Sequence, residues 1–217
     1  MSNTGDRRAV ITIESIPELD RWGELWSLYL RAFEPLQSLA LLNHLYPRAD
    51  FDALLAEPRI KKFVAWNGDE PTGLAMLTNA LDLVPQISPP FLQARYPEQA
   101  SRDAVYFGIM VFVNEDHRRS SLFARLVAGM GQVTAEQAGV VVFDICRHNL
   151  TAMELETQMR GIARWFPGST FAEIDRQSYF GVDLPQPIDQ RVKLPLVNKL
   201  ATPAAVYEPV PLAAVGD

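Results

Sequence analysis

Val105-Tyr106-Phe107-Gly108-Ile109-Met110-Val111-Phe112-Val113 is an almost wholly apolar run. It is followed at once by the polar turn Asn114-Glu115-Asp116-His117-Arg118-Arg119-Ser120-Ser121 and then by Leu122-Phe123. Nine apolar residues without alternation suit a strand buried on both faces of a sheet rather than one with a wet side. Past the turn, Leu122, Leu126, Val127 and Met130 recur at helical spacing, which predicts a helix over Ser121–Ala138 with Gly139 as its stop. The stretch therefore reads as strand, turn, helix. A second unit follows: Val140 to Cys146 is another two-sided apolar run. Asn149 then opens a helix carrying Ala152, Met153, Leu155, Met159 and Ile162 and ending before Pro167.

Upstream the pattern differs. Ala9 to Glu14 alternates as a short strand. Leu19, Trp22, Leu25, Trp26, Tyr29 and Phe33 then mark one face of a helix over Glu18–Phe33. Leu39–Leu45 and Phe51–Ala56 read as helical pieces around Pro47. Ile60–Trp66 and Gly73–Leu81 flank Asn67-Gly68-Asp69-Glu70-Pro71 and predict an antiparallel hairpin. Asp82 to Ala104, with Pro85, Pro89, Pro90 and Pro97, reads as an inserted loop of the lid kind. Short strands are expected near Thr170–Ile174 and Ser178–Val182. The expected fold class is α/β: a mixed, mostly antiparallel sheet with a central parallel strand pair, flanked by helices. Residues 1–184 form the expected domain, and residues 185–217, rich in proline, an arm or tail.

Composition narrows the function. A net charge of −6 over 217 residues argues against nucleic acid, whose binding draws on clustered Lys and Arg. Cys146 is the single cysteine, so no internal disulfide forms, and His44, His117 and His148 show no metal-ligand spacing. Met1–Val10 lacks the apolar stretch of a secretory signal, and no apolar run approaches the ~20 residues needed to cross a bilayer. These features fit a cytoplasmic chain without a membrane partner.

In a sheet with a parallel pair, ligands belong at the carboxyl ends of those strands, which draws attention to the residues after Val113 and after Cys146. Arg118 and Arg119 at a helix start oppose the partial positive charge there by a few tenths to ~1 kcal/mol each, and an anion resolves the conflict. Unpaired amides, the Ser120 and Ser121 hydroxyls and two guanidiniums suit phosphate oxygens. The alternative makes Ser120 an N-cap and pairs the arginines with Glu115 and Asp116 in solvent. Asp144, mid-strand in an apolar run, must be exposed, paired or functional.

The order of elements and this turn resemble the GNAT superfamily of acyl-CoA-dependent N-acyltransferases over about Ala9 to Leu184. Its pattern resembles V-x-P-x-[YH]-R-G-x-G-[VLI]-[GA]-x-x-L, against Val113-Asn114-Glu115-Asp116-His117-Arg118-Arg119-Ser120-Ser121-Leu122-Phe123-Ala124-Arg125-Leu126 here. Arg118 takes the leading Arg position, while Ser121 and Phe123 stand at two small-residue positions, so both glycines are missing. The resemblance implies that the strand pair splays apart and that backbone near Phe112 and Val113 meets the pantetheine of acetyl-CoA or another acyl-CoA. It also implies that the helix start, Arg118 through Phe123, holds the diphosphate. Asn149 matches the Asn that opens the next helix. Seven residues on, Glu156 replaces a Tyr that protonates the leaving thiolate, the bland alternative being a solvated helix glutamate. Tyr106, Asp144, Cys146 and His148 are candidates for the base; Cys146 and His148 face the same way if their segment is extended. The implied activity is acyl transfer, acetyl in the simplest case, to a small-molecule or peptide amine. The alternatives are a GNAT-fold binder of acyl-CoA without turnover, or an interaction protein whose tail meets a partner or a second copy of the chain.

Overall fold

A computed structural model of the chain describes residues 9–41, 45–117 and 120–183. These divide into two units at Ala172/Glu173. The first is built on one five-stranded sheet in the order β1-β2-β3-β4-β5. Its strands are β1 (Val10–Glu14), β2 (Ile60–Asn67), β3 (Glu70–Thr78), β4 (Val105–Val113) and β5 (Val140–Val142). Antiparallel pairing runs from Val10↔Trp66 through the β2–β3 hairpin, closed at Asn67↔Glu70, to Gly73↔Val113. Gly68 turns the hairpin with φ +62°, a left-handed conformation that glycine takes without a Cβ penalty. β4 and β5 pair in parallel, Val105↔Val140 to Phe107↔Val142. The expected fold class is thus observed, with the parallel pair at one end of the described sheet.

Period-two alternation divides the core between two faces. Val64, Leu74, Met76, Met110 and Phe112 pack on α1 (Trp22–Phe33) and α2 (Arg48–Ala56). α1 starts at Trp22 rather than at Glu18, since Leu19–Arg21 forms a 3₁₀ turn with Leu19 exposed, and it buries Leu25, Leu28 and Tyr29. On the other face Phe63, Ala65, Ala75 and Val113 lie under α5 (Leu122–Glu136), which presents Leu122, Leu126 and Met130.

Several expectations need correction. Leu39–Leu41 and Leu45 are not helical; a 3₁₀ turn over Glu34–Ser38 precedes them, and residues 42–44, with His44, lie outside the described residues. The inserted segment is not a plain loop, because its prolines start helices instead of breaking them. Pro89 and Pro90 open α3 (Pro89–Arg95), where the Ser88 hydroxyl accepts the Phe91 amide at 3.4 Å, and Pro97 opens α4 (Pro97–Ala100). A proline in the first turn gives up only an N–H that has no helical partner. The single helix expected from Asn149 is two, α6 (Arg147–Ala152) and α7 (Leu155–Ala163), broken where Glu154 adopts φ +49°. Neither Thr170–Ile174 nor Ser178–Val182 is a strand. In the second unit, Arg176 pairs with Glu173 at 2.6 Å; residues 184–217, and so the expected arm, lie outside the described residues. Among the described residues no helix is long and apolar enough to cross a membrane.

Gly139 sets the start of the parallel pair. A Cβ there would meet the Ala104 carbonyl at 2.5 Å and the Thr134 carbonyl at 3.1 Å. The same Ala104 oxygen accepts the Val140 amide at 3.0 Å. Gly139→Ala is therefore expected to cost about 1–3 kcal/mol through backbone displacement. Denaturant midpoints check it, and a loss under about 0.5 kcal/mol, the range of an uncommitted surface site, would rule the close contact out.

Candidate functional site

β4 and β5 are paired over three residues and then part. Register with β3 shifts between Met76 and Leu77, so that Met76 faces Met110 while Leu77 faces Gly108, and Ile109 is the extra residue of a bulge. A bulge bends its strand and increases its twist. β5 ends at Val142, and Phe143–Cys146 continue as irregular chain rather than strand. Beyond Phe107, no described strand pairs with this edge of β4.

The gap holds a cavity of about 150 Å³. Phe123, Val127, Met130 and Gly131 of α5 line it from one face of the sheet, with Leu155 and Met159 of α7. Phe33 and Leu36 line it from the α1 face. Ile109 and Val111 come from β4, and Asp144, Cys146 and Asn149 from the chain after β5. Apart from Asp144, Cys146 and Asn149, these side chains are apolar.

The expected site residues divide sharply. Arg118 and Arg119 lie outside the described residues. Ser120 serves local structure, since its hydroxyl donates to the His117 carbonyl at 2.6 Å and accepts the Leu122 amide at 3.1 Å. Ser121 is the N-cap residue of α5 and is exposed. The Leu122 side chain is fully buried in the core, so only its backbone faces the turn. Phe123 is on the cavity wall. Phe112 and Val113 are buried at the end of β4, the Phe112 ring edge-on to Tyr29 at 5.9 Å.

Of the five catalytic candidates, Asp144 and Cys146 line the cavity. Cys146 is the nucleophilic one of the two. It is extended (φ −66°, ψ 153°) as the N-cap of α6, whereas His148 is already in the first helical turn and does not line the cavity. Because the segment is not extended through both, the two do not share a direction. Glu156 is exposed and accepts from Arg160 Nη2 at 2.8 Å, one turn along α7, the solvated arrangement. Tyr106 sits in the core layer under α5 and does not itself line the cavity; burial pushes its phenol up, and the Glu136 carboxylate adds to this.

Two polar residues, Asp144 of the cleft and Tyr46 of the α1-face core, escaped or were misplaced by periodicity. Asp144 is not mid-strand but exposed on the irregular chain past β5. Tyr46, just before α2, donates its amide to the Tyr29 hydroxyl at 2.6 Å. Burial raises the Tyr46 phenol, a hydrogen bond with Gln86 opposes this, and the Asp144 and Asp50 carboxylates raise it further. Nothing in local spacing marks Tyr46, because a position outside any periodic element carries no pattern.

No protein-family model matches the chain, and no curated protein sequence matches it. Among solved structures, it is similar to an aminoglycoside acetyltransferase from an uncultured soil metagenomic sample, at 13% identity and TM-score 0.48, over 82% of this chain and 99% of that one. It is also similar to a ribosomal-protein-alanine N-acetyltransferase from Brucella melitensis biovar Abortus 2308, at 13% identity and TM-score 0.47, over 80% and 99%. An aminoglycoside 6'-N-acetyltransferase from Acinetobacter haemolyticus gives 14% identity and TM-score 0.49, over 81% and 99%. The chain's own strand order gives the mixed, mostly antiparallel sheet expected from the sequence, with β4 and β5 as its parallel pair.

Proposed function

We propose that the chain transfers an acyl group, acetyl in the simplest case, from acyl-coenzyme A to an amine across the cleft between β4 and β5. The observation that carries this reading is the strand pair that separates after Phe107 and Val142. It leaves the edge of β4 beside a cavity, where backbone groups need partners. The amide-bearing pantetheine arm supplies such partners as an added strand would. At the start of α5, first-turn amides, Ser121 and the two arginines Arg118 and Arg119 are assigned to the diphosphate.

In the reaction the amine nitrogen attacks the thioester carbonyl carbon, the carbon–sulfur bond breaks, and the sulfur leaves as a thiolate. The proton lost by the amine reaches that sulfur through water or the Cys146 thiol. Glu156 is tied to Arg160 in solvent and is not needed, since a thiolate leaves with little assistance. Residues 1–184 are the proposed transferase domain of a cytoplasmic protein, with 185–217 an arm suited to a partner or a second copy of the chain. A binder of acyl-CoA without turnover is the second reading, favoured by the Phe123 ring on the cavity wall where the resemblance implies a small residue.

Calorimetric titration with acetyl-CoA, coenzyme A and longer acyl-CoAs tests both. Affinity with amine-dependent thiol release supports the transferase; affinity without release across a broad amine panel leaves the binder; no affinity at any chain length removes both. Arg118→Glu is expected to weaken acetyl-CoA binding at least ~tenfold, because it replaces a charge-assisted donor by a repelling carboxylate. Unchanged affinity would remove the diphosphate from that corner.

A further inference from the structure

The cleft is chemically lopsided. Among the described residues that line it, Asp144 alone is charged. Phe33 and Leu36 form its wall on the α1 face. Asp144 lines this same cavity with Phe33 and Leu36, and its carboxylate is one of the charges that raise the Tyr46 phenol. The second carboxylate near Tyr46, Asp50, is in the first turn of α2 and does not line the cleft.

A single carboxylate neutralises a single ammonium. Further cationic centres on the same ligand would be set against phenyl and alkyl surface, where an unpaired charge is strongly disfavoured. An apolar body, in contrast, gains by covering Phe33 and Leu36. We infer that the acceptor is a primary amine with one cationic centre and an apolar body, its ammonium held by Asp144 and its body laid against Phe33 and Leu36. This rests on the transferase reading and assigns Asp144 to selecting and positioning the acceptor, not to moving its proton.

The test uses the full chain with acetyl-CoA and two probe amines, 2-phenylethylamine and spermidine, followed by thiol release. In parallel, saturation-transfer NMR follows each amine on the coenzyme A-loaded chain, a readout that does not need turnover. Expected is a preference for 2-phenylethylamine over spermidine of at least ~tenfold in kcat/KM or in binding. Asp144→Asn is expected to raise the KM, or weaken the NMR-detected binding, of 2-phenylethylamine about threefold, as loss of one charge pair at an exposed carboxylate does. Calorimetric affinity for acetyl-CoA should hold in that variant, and Asp144→Glu should recover part of the loss. A preference for spermidine, or Asp144→Asn with amine affinity unchanged, overturns the inference while leaving the transferase standing. Absence of acetyl-CoA affinity in the unmodified chain overturns the transferase reading and this inference with it.

Discussion

Phe51→Ala is expected to lower stability by about 3–5 kcal/mol, the range for deleting a fully buried aromatic ring, measured as the shift in denaturant midpoint. Phe51 is completely buried and stacks on Tyr29 at 4.7 Å between centroids, with Trp26 tilted against it at 5.4 Å. Such pairs add to simple burial because ring edges and faces carry opposite partial charge. Tyr29 in turn stacks on Phe33 at 4.9 Å and receives the Tyr46 amide. The pile therefore runs from α2 to the cleft wall, and its loss should loosen the α1-face wall as well as the core. Phe91→Ala, at an exposed ring, serves as the control and should stay within ~0.5 kcal/mol. A Phe51→Ala loss under about 1 kcal/mol, well below the cost of a residual cavity, would mean that the site collapses onto the gap and that the ring pile does not hold the two helices.

What could be read from the chain and what could not follows from the range of the forces involved. The α1 stripe from Trp22 on, the nine apolar residues of β4 and the Asn67-Gly68 turn are local statements of period or conformation, and each formed where expected. β5 is different. Val140 to Cys146 is apolar but for Asp144, yet only Val140–Val142 is strand, because a strand needs a partner and the bulge at Ile109 carries β4 away. That divergence, which makes the cleft, is a register event between distant residues and leaves no trace in either sequence alone. Asp144 consequently moved from an awkward mid-strand position to the cleft wall. The break between α6 and α7 falls at Glu154, a residue that gives no Gly or Pro signal for its positive φ. At the turn before α5 the N-cap is Ser121 rather than Ser120, whose hydroxyl instead bridges the His117 carbonyl and the Leu122 amide. The arginines that suggested an anion, Arg118 and Arg119, lie outside the described residues.

Stability is expected to rise with pH between about 8 and 10.5, and the residue responsible is Lys62. It lies in β2 with no solvent exposure, its ammonium donating to the Ser15 carbonyl at 2.6 Å and the Glu57 carbonyl at 2.5 Å. It thus ties the chain after β1 to the chain after α2. Burial pushes its pKa down from 10.5 to about 8, and the Glu57 carboxylate opposes this only in part. Glu57 is itself engaged by Arg59 at 2.9 Å, which holds its carboxyl down at about 2, so it stays charged throughout the window. Below pH 8 both folded and unfolded chains carry the proton on Lys62, and the cost of burying the charge is fully present. As pH rises from 8 toward 10.5 the unfolded chain still binds the proton and the folded chain releases it, so folding gains. At ~1.4 kcal/mol per unit the displacement is worth at most about 3.5 kcal/mol. The two carbonyls that accept from the ammonium act against the release, which makes this an upper bound. The measurement is the denaturant midpoint from pH 7 to 10.5 in the unmodified chain and in Lys62→Met. A steeper rise in the unmodified chain than in the variant is expected. Parallel curves would show that Lys62 keeps its proton, held by the two carbonyls as a permanently charged clamp.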